Sequence, residues 1–307
     1  MTAPRSVIYE ILDDRFRVCA GGDQQLETLF QGCRWAEGPV YVPAGRYLLW
    51  SDIPNDRLLR WDEPTNAVGV FRAPAGNING NTLDREGRLV SCEPGNRRVT
   101  RTEQDGTITV IADRFAGKRL NSPNDAVVRS DGSVWLSDPD FGITSDYEGH
   151  RAEGEIGSCN VYRVDAVTGS VRLAADGLSG PNGLVFSQDE SKLFVSDTRA
   201  NRILAFAVRE DDTLSAGEIF TECKVGTFDN IRLDDAGRLW VGACEDGVHC
   251  YAPDGTLIGR ILVPEMAANI CFGGPKRNRM FIAANSSLYS LFLSVRGAPA
   301  LVDRRAG

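Results

Sequence analysis

Residues 231–241 read IRLDDAGRLWV, a pattern of a strand, a polar turn and a second strand from which the fold can be predicted. The apolar run Ile231 to Leu233 leads into a turn that contains Asp and Gly, and a second apolar run, Leu239 to Val241, follows. Turn residues between two β-type runs predict a hairpin. The same pattern recurs at residues 82–90 (TLDREGRLV), 126–136 (AVVRSDGSVWL) and 183–195 (GLVFSQDESKLFV). The chain therefore repeats one hairpin, and helical periodicity is nearly absent.

Further strands extend each hairpin into a larger repeated unit. A third strand follows the hairpin, as in Arg57 to Trp61 (RLLRW) and Ile203 to Val208 (ILAFAV). Six units can be traced, and their first strands open at Glu37, Asn81, Asn124, Asn182, Asp229 and Asn269. A repeat of about 40 to 50 residues with four short strands is typical of a β-propeller. We therefore predict an all-β fold, a six-bladed β-propeller with four-stranded blades; a double-sheet sandwich is the alternative, but it does not account for six copies of one motif.

A segment near the N-terminus is predicted to close the ring. Gln25 to Phe30 (QLETLF) has a strand pattern and would form the outer strand of the last blade, which removes an open edge. We expect one propeller domain over residues 1–307, with residues 1–24 as an N-terminal extension. The third unit is lengthened by an insertion at residues 139–157, whose polar part, Ile143 to Gly157, is a candidate lid over a pocket.

The composition excludes several kinds of partner. The sequence has 42% hydrophobic residues and a formal net charge of -8, which argues against nucleic acid and anionic membrane surfaces. We expect no membrane span, because no apolar run reaches the roughly 18 residues that a span requires. The eight cysteines are scattered without a CxxC pair, and residues 1–10 lack a signal-peptide pattern. We therefore expect reduced cysteines in a cytoplasmic protein, as a monomer or weak homodimer.

The six residues that open the first strands all carry side-chain oxygen atoms. The first strand of each propeller blade lines the central channel, so two carboxylates and four amides are expected to converge there. Buried charges and unpaired amides are costly, and a divalent cation offsets that cost because it takes about six to eight oxygen ligands. Without Cys or His in the ring, calcium is favoured over a typical zinc or copper site. Ordered water held by the same residues is the alternative.

Several motifs, taken in order, resemble those of the SMP-30/gluconolactonase/luciferin-regenerating family, and within it those of the bacterial gluconolactonases. The resemblance covers residues 26–292, and its carriers are WAEGP (35–39), RLNSPND (119–125), SDP (137–139), GPNGL (180–184) and FDN (228–230). It implies a six-bladed propeller with a divalent cation near the channel centre. It also implies hydrolysis of a lactone.

The resemblance assigns roles to individual residues. Matched motif by motif, the expected cation ligands are Glu37, Asn124, Asn182 and Asp229. Asp229 corresponds to the family's catalytic acid, although the family's Pro-Asp-Gly is replaced here by Phe228-Asp229-Asn230. Asn124 would also face the substrate, and Arg119 and Asn121 are further expected substrate contacts. Asp138 and Asp140 are candidates for an additional acidic contact that some family members have.

These assignments lead to an expected mechanism. A glucono-1,5-lactone type of substrate would be opened to the aldonic acid, with the cation acting as Lewis acid on the carbonyl. Asp229 would take a proton from the attacking water, a role that Glu37 could share. Calcium is the expected cation, with zinc, manganese and magnesium as alternatives.

Other functions fit the same sequence. One is a phosphotriesterase or another lactone or ester hydrolase on the same propeller, since a fold does not determine its substrate. Another is a non-enzymatic propeller that binds a protein or a glycan. A Ser-His-Asp hydrolase is disfavoured because the chain has only two histidines, His150 and His249, and neither lies at a channel position.

Overall fold

The computed structural model describes residues 8–22 and 25–299, and its strands form six large sheets arranged in a ring and one small two-stranded sheet. Each large sheet is one blade, and the first strands of neighbouring blades contact one another around a closed circle. This arrangement confirms the predicted six-bladed β-propeller. Among the described residues, no helix is both long and apolar enough to cross a membrane.

The strand boundaries follow the repeats of the sequence. Two described strands precede the first blade: β1 (Tyr9–Ile11) and β2 (Glu27–Gln31). Blade one consists of β3 (Ala36–Val42), β4 (Tyr47–Asp52), β5 (Arg57–Asp62) and β6 (Val68–Arg72). Blade two consists of β7 (Asn81–Leu83), β8 (Leu89–Glu93), β9 (Arg98–Thr102) and β10 (Ile108–Ala112). A small hairpin, β11 (Arg114–Phe115) and β12 (Lys118–Arg119), leads to blade three.

The second half of the ring has the same plan. Blade three consists of β13 (Ala126–Val128), β14 (Val134–Asp138), β15 (Cys159–Val164) and β16 (Val171–Leu178), with the helix α1 (Phe141–Thr144) between β14 and β15. Blade four consists of β17 (Pro181–Phe186), β18 (Lys192–Asp197), β19 (Arg202–Ala207) and β20 (Glu218–Glu222). Blade five consists of β21 (Ile231–Leu233), β22 (Leu239–Gly242), β23 (Val248–Tyr251) and β24 (Leu257–Ile261). Blade six consists of β25 (Ala267–Gly273), β26 (Arg279–Ala284) and β27 (Ser287–Phe292).

Both strands that precede blade one complete sheets elsewhere in the ring. Strand β2 pairs antiparallel with β27 and forms the outer strand of blade six, as the sequence predicted. Strand β1 pairs with β24 and adds a fifth strand to blade five, which the sequence did not predict. A 3-10 turn at Asp14–Phe16 then buries Phe16 against Trp240, with ring centroids 5.9 Å apart. Residues 1–7, which include most of the segment examined for a signal peptide, lie outside the described residues.

The hydrophobic core lies between adjacent blades. Trp61 of blade one packs against Phe281 of blade six at 5.5 Å, and comparable clusters fill the other blade interfaces. Four of the five tryptophans are at most 1% exposed: Trp50, Trp61, Trp135 and Trp240. The eight cysteines are all free. Burial of apolar side chains between sheets fixes the relative position of the blades and therefore the shape of the channel.

Buried aspartates at the ends of three second strands hold the segments that lead into the first strands. Asp52 accepts a hydrogen bond from the Arg34 amide at 2.8 Å, and Asp197 accepts one from the Gly180 amide at 2.7 Å. Asp138 accepts bonds from two consecutive amides, those of residues 121 and 122, each at 2.9 Å. These bonds give the three aspartates a structural role and place the start of the first strand in blades one, three and four.

Candidate functional site

A cavity of about 290 Å³ opens where the first strands begin. Its polar wall is formed by three carboxylates and three amides: Glu37, Asn79, Asn124, Glu148, Asn182 and Asp229. Trp35 and Phe141 form an aromatic part of the wall, and no Lys or Arg of residues 8–22 and 25–299 belongs to the lining. The structure therefore brings together all four residues expected to bind a cation, in a site without a positively charged side chain.

Glu37 is held by the local conformation of its own strand. Strand β3 has a register shift between Glu37 and Val40, and Gly38 there has a φ of 50°. A Cβ atom at Gly38 would lie 1.9 Å from the Asn79 carbonyl oxygen, so only glycine fits. The Gly38 amide donates to Glu37 Oε2 at 2.9 Å, and Asn269 Nδ2 donates to the same oxygen at 2.6 Å. The carboxylate is consequently oriented and only 2% exposed.

Asp229 and Asn182 form the opposite part of the polar wall. Strand β17 has a register shift between Pro181 and Leu184 that matches the one in β3. The Asn182 side-chain amide lies close enough to the Asp229 carboxyl group to lower its pKa. Ser196 Oγ donates to the Asp229 carbonyl oxygen, which holds the backbone there although Asp229 precedes β21 and lies in no strand.

Uncompensated negative charge dominates the electrostatics of the cavity. Burial and then the charge of Asp229 raise the pKa of Glu37 well above its ordinary value. Burial and then the charge of Glu148 raise the pKa of Asp229 to about 7. Burial also raises the pKa of Glu148. Without a counter-charge, these groups therefore favour protonated forms at a pH where free carboxylic acids are ionised.

The insertion in blade three forms one side of the cavity. Phe141, Ser145 and Glu148 of this segment reach the cavity, and Tyr147 Oη donates to the Arg34 carbonyl at 3.1 Å. The expected lid therefore borders the predicted site. Sequence reasoning missed Glu148 and considered Asp138 and Asp140 instead. The only available signal was an acidic residue within the polar insert.

The six strand-opening residues do not all face this cavity, which corrects the expectation that they share one space. Asn81 Nδ2 donates to the Gly38 carbonyl at 2.9 Å, and Asn81 Oδ1 accepts from Ser91 Oγ at 2.7 Å. Asn79, two residues earlier in the chain, takes the lining position in blade two. Asn269 lies beside Glu37, and its Oδ1 is buried without a hydrogen-bond partner. Asn79 lies two residues before its first strand, as Asn124 and Asp229 do, so the equivalent position in blade two is Asn79 rather than Asn81.

The structure does not bring Arg119 and Asn121 to the lining of this cavity. Arg119 Nη2 donates to the Asn96 carbonyl at 3.1 Å, and the Arg119 amide donates to Glu155 Oε2 at 2.9 Å. Asn121 Nδ2 donates to the Ser158 carbonyl at 2.9 Å, and the residue borders a larger open cavity of about 790 Å³ beneath the insert. Both residues therefore bond to the insert or to the residue that follows it, and neither lines the cavity that contains Glu37 and Asp229, here called the acidic cavity.

Neither histidine lies at the cavity. His249 is buried in β23, with Nε2 2.7 Å from Asp246 Oδ2 and Nδ1 3.1 Å from Tyr251 Oη. His150 is exposed in the insert. The site therefore has no Ser-His-Asp arrangement among its lining residues, and its ionisable groups are carboxylates.

The donor set fits a hard divalent cation better than a soft metal. In residues 8–22 and 25–299, no three His, Cys, Asp or Glu side chains come together as a ready-made metal centre. The cavity instead combines carboxylate and amide oxygens, the ligand types that calcium and magnesium prefer. A bound divalent cation would offset the mutual repulsion of Glu37 and Asp229. The residues present therefore fit such an ion.

The raised pKa of Asp229 predicts an unusual pH dependence of stability in the presence of a chelator. Its pKa rises from an ordinary 3.8 to about 7 in the folded protein. The associated stabilisation is therefore complete below pH 3.8 and is lost as the pH rises through about 7. The melting temperature should fall between pH 5 and pH 7, by about 2–4 °C for each kcal/mol lost. Thermal unfolding of wild type and Asp229→Asn tests this. Equal slopes in both proteins would contradict it.

Comparisons with known proteins identify similar sequences and a similar solved structure. Residues 35–286 match the family model of the SMP-30/Gluconolactonase/LRE-like region. The chain is 30% identical over 292 residues to a gluconolactonase from Zymomonas mobilis subsp. mobilis. That alignment covers 86% of this chain and 80% of the relative. It is 31% identical over 261 residues to pentonolactonase XacC from Haloferax volcanii, which covers 81% of each chain. A solved gluconolactonase from Xanthomonas campestris superimposes with a TM-score of 0.87 at 37% identity, covering 93% of this chain and 94% of that one.

Proposed function

Because this chain belongs to the SMP-30/Gluconolactonase/LRE-like family, we propose that it hydrolyses a sugar lactone of the glucono-1,5-lactone type to the aldonic acid. The observation that carries the proposal is the convergence of Glu37, Asn182 and Asp229 in one cavity at the end of the channel. Relatives named as lactonases align over most of the chain, which supports the same reaction class.

One divalent cation, most simply calcium, belongs to the proposed site. Glu37, Asn124, Asn182 and Asp229 would hold it, and all four line the cavity. When bound, the cation would polarise the lactone carbonyl and stabilise the negative charge that develops on its oxygen. The two carboxylates would balance the charge of the ion, and the neutral amides would complete part of its oxygen shell.

Asp229 is the proposed proton acceptor. The Asn182 side-chain amide lies beside its carboxylate, and one oxygen can face the cation while the other accepts a proton from the attacking water. Glu37 is less suited to that role, because Oε2 already accepts from Gly38 and from Asn269. The Tyr147 contact to Arg34 keeps the insert beside the site, where it would limit the access of bulk water.

The proposed enzyme acts on a small molecule in the cytoplasm, as one propeller domain and as a monomer or weak homodimer. Eight free cysteines, six of them buried, suit a reducing compartment. The cavity of about 290 Å³ suits a ligand of the size of a single sugar ring.

Initial rates test the proposal against phosphotriester hydrolysis on the same scaffold. We expect turnover of glucono-1,5-lactone above the spontaneous rate, measured by acid release, and little turnover of a paraoxon-type ester. Treatment with a chelator should lower kcat/KM for the lactone by about 10³-fold, since Lewis-acid stabilisation supplies several kcal/mol. Added calcium should restore the activity. Full activity after complete chelation would overturn the cation assignment, and faster phosphotriester turnover would overturn the substrate class.

A further inference from the structure

The insert in blade three presents one carboxylate to the acidic cavity from a fixed position. Glu148 lies between Tyr147, which donates to the Arg34 carbonyl, and Gly149, which is buried. A Cβ atom at Gly149 would lie 2.3 Å from the Gly142 carbonyl oxygen, so the two segments of the insert are in close contact there. Gly142 in turn donates from its amide to Ser122 Oγ at 2.9 Å. These contacts determine where the Glu148 side chain can lie.

Glu148 has no compensating positive charge within the part of the chain that the structure describes. It forms no ion pair there, whereas the buried carboxylates of Asp52, Glu93 and Asp234 each pair with an arginine. Glu148 lines the same cavity as Glu37 and Asp229, and its charge raises the pKa of both carboxyl groups. A third carboxylate beside two mutually repelling ones is unfavourable unless a positive charge is present.

We propose that Glu148 is an outer carboxylate of the cation site, which strengthens the retention of the divalent ion from the lid side. This inference depends on the proposed function, because it assumes the cation held by Glu37 and Asp229. The three acids do not form a ready-made metal centre, so Glu148 acts on the ion through its charge or through an intervening water rather than as a direct ligand. The insert therefore contributes to cation affinity and is not only a cover.

Calcium titration by calorimetry tests the inference with Glu148→Gln and the matched control Glu153→Gln. Glu153 is an exposed residue of the same insert, so its replacement removes the same charge away from the acidic cavity. The calcium Kd should rise by about 10- to 100-fold in Glu148→Gln, the range typical of an outer partner, and should be unchanged in the control. Equal calcium affinities in Glu148→Gln and wild type would overturn the inference.

Thermal stability without the cation separates this role from a structural one. In chelator, Glu148→Gln should melt above wild type because one of three repelling carboxylates is gone, whereas calcium should stabilise it less than wild type. A lower melting temperature in chelator would indicate a structural role and overturn the inference. Calcium binding can also be followed by tryptophan fluorescence. Trp35 lines the cavity and is partly exposed, whereas the other four tryptophans are buried. Wild type that binds no calcium would instead refute the proposed function itself.

Discussion

Asp229→Asn is expected to lower kcat/KM for glucono-1,5-lactone by about 10²- to 10⁴-fold, the usual contribution of a positioned general base. The substitution preserves the shape of the side chain and an oxygen that can face the cation, but it removes the proton acceptor. The loss should fall mainly on kcat, because the group acts in the chemical step. Acid release under initial-rate conditions in saturating calcium measures it.

Asp235→Asn provides the control for that result. Asp235 lies between β21 and β22 of blade five, where it is exposed and does not line the acidic cavity. Its replacement should therefore leave kcat/KM unchanged. If Asp229→Asn retained wild-type kcat at saturating calcium, Asp229 would not be the base. The role would then have to be reassigned to another group at the cavity.

Glu37→Gln is expected to weaken calcium binding by more than the roughly 100-fold that loss of an outer partner costs. Glutamine keeps one oxygen but removes a full negative charge from a side chain that is only 2% exposed. Activity should therefore be lost at micromolar calcium and partly recovered at high calcium. Calorimetry and the calcium dependence of the initial rate measure the two effects.

A surface substitution controls for the change in net charge. Glu210→Gln removes an exposed carboxylate and should alter neither the calcium Kd nor the rate. Unchanged calcium affinity in Glu37→Gln would contradict the assignment of Glu37 as a ligand. Loss of activity at every calcium concentration with normal binding would instead indicate a role in the chemical step.

The repeat predicts the blades and four cavity residues because both depend on local pattern. These residues occupy similar places relative to a hairpin that recurs along the chain, and a closed ring brings such places together: Glu37, Asn124, Asn182 and Asp229. Asn81 shows the limit of this argument. Asn81 is the first residue of β7, and the residue that lines the cavity lies two positions earlier, at Asn79. Strand register decides which of the two faces the cavity, and that register depends on contacts between blades.

Features outside the repeat could not be predicted. Glu148 reaches the cavity because Tyr147 and Gly149 fix the insert, and no periodic pattern encodes those contacts. Strand β1 joins blade five through long-range pairing, such as Tyr9 opposite Ile261. Arg119 matched a family motif, yet its side chain bonds to the Asn96 carbonyl away from the acidic cavity.

A crystal structure with calcium and the aldonic acid product would show directly whether Glu37, Asn182 and Asp229 hold a cation beside the substrate. We predict one ion in the cavity with oxygen atoms of Glu37, Asn182 and Asp229 at about 2.3–2.6 Å, and the product carboxylate next to it. Anomalous scattering would identify the ion. A cavity without an ion at saturating calcium, or an ion bound elsewhere while the enzyme is active, would rule out these residues as the cation site.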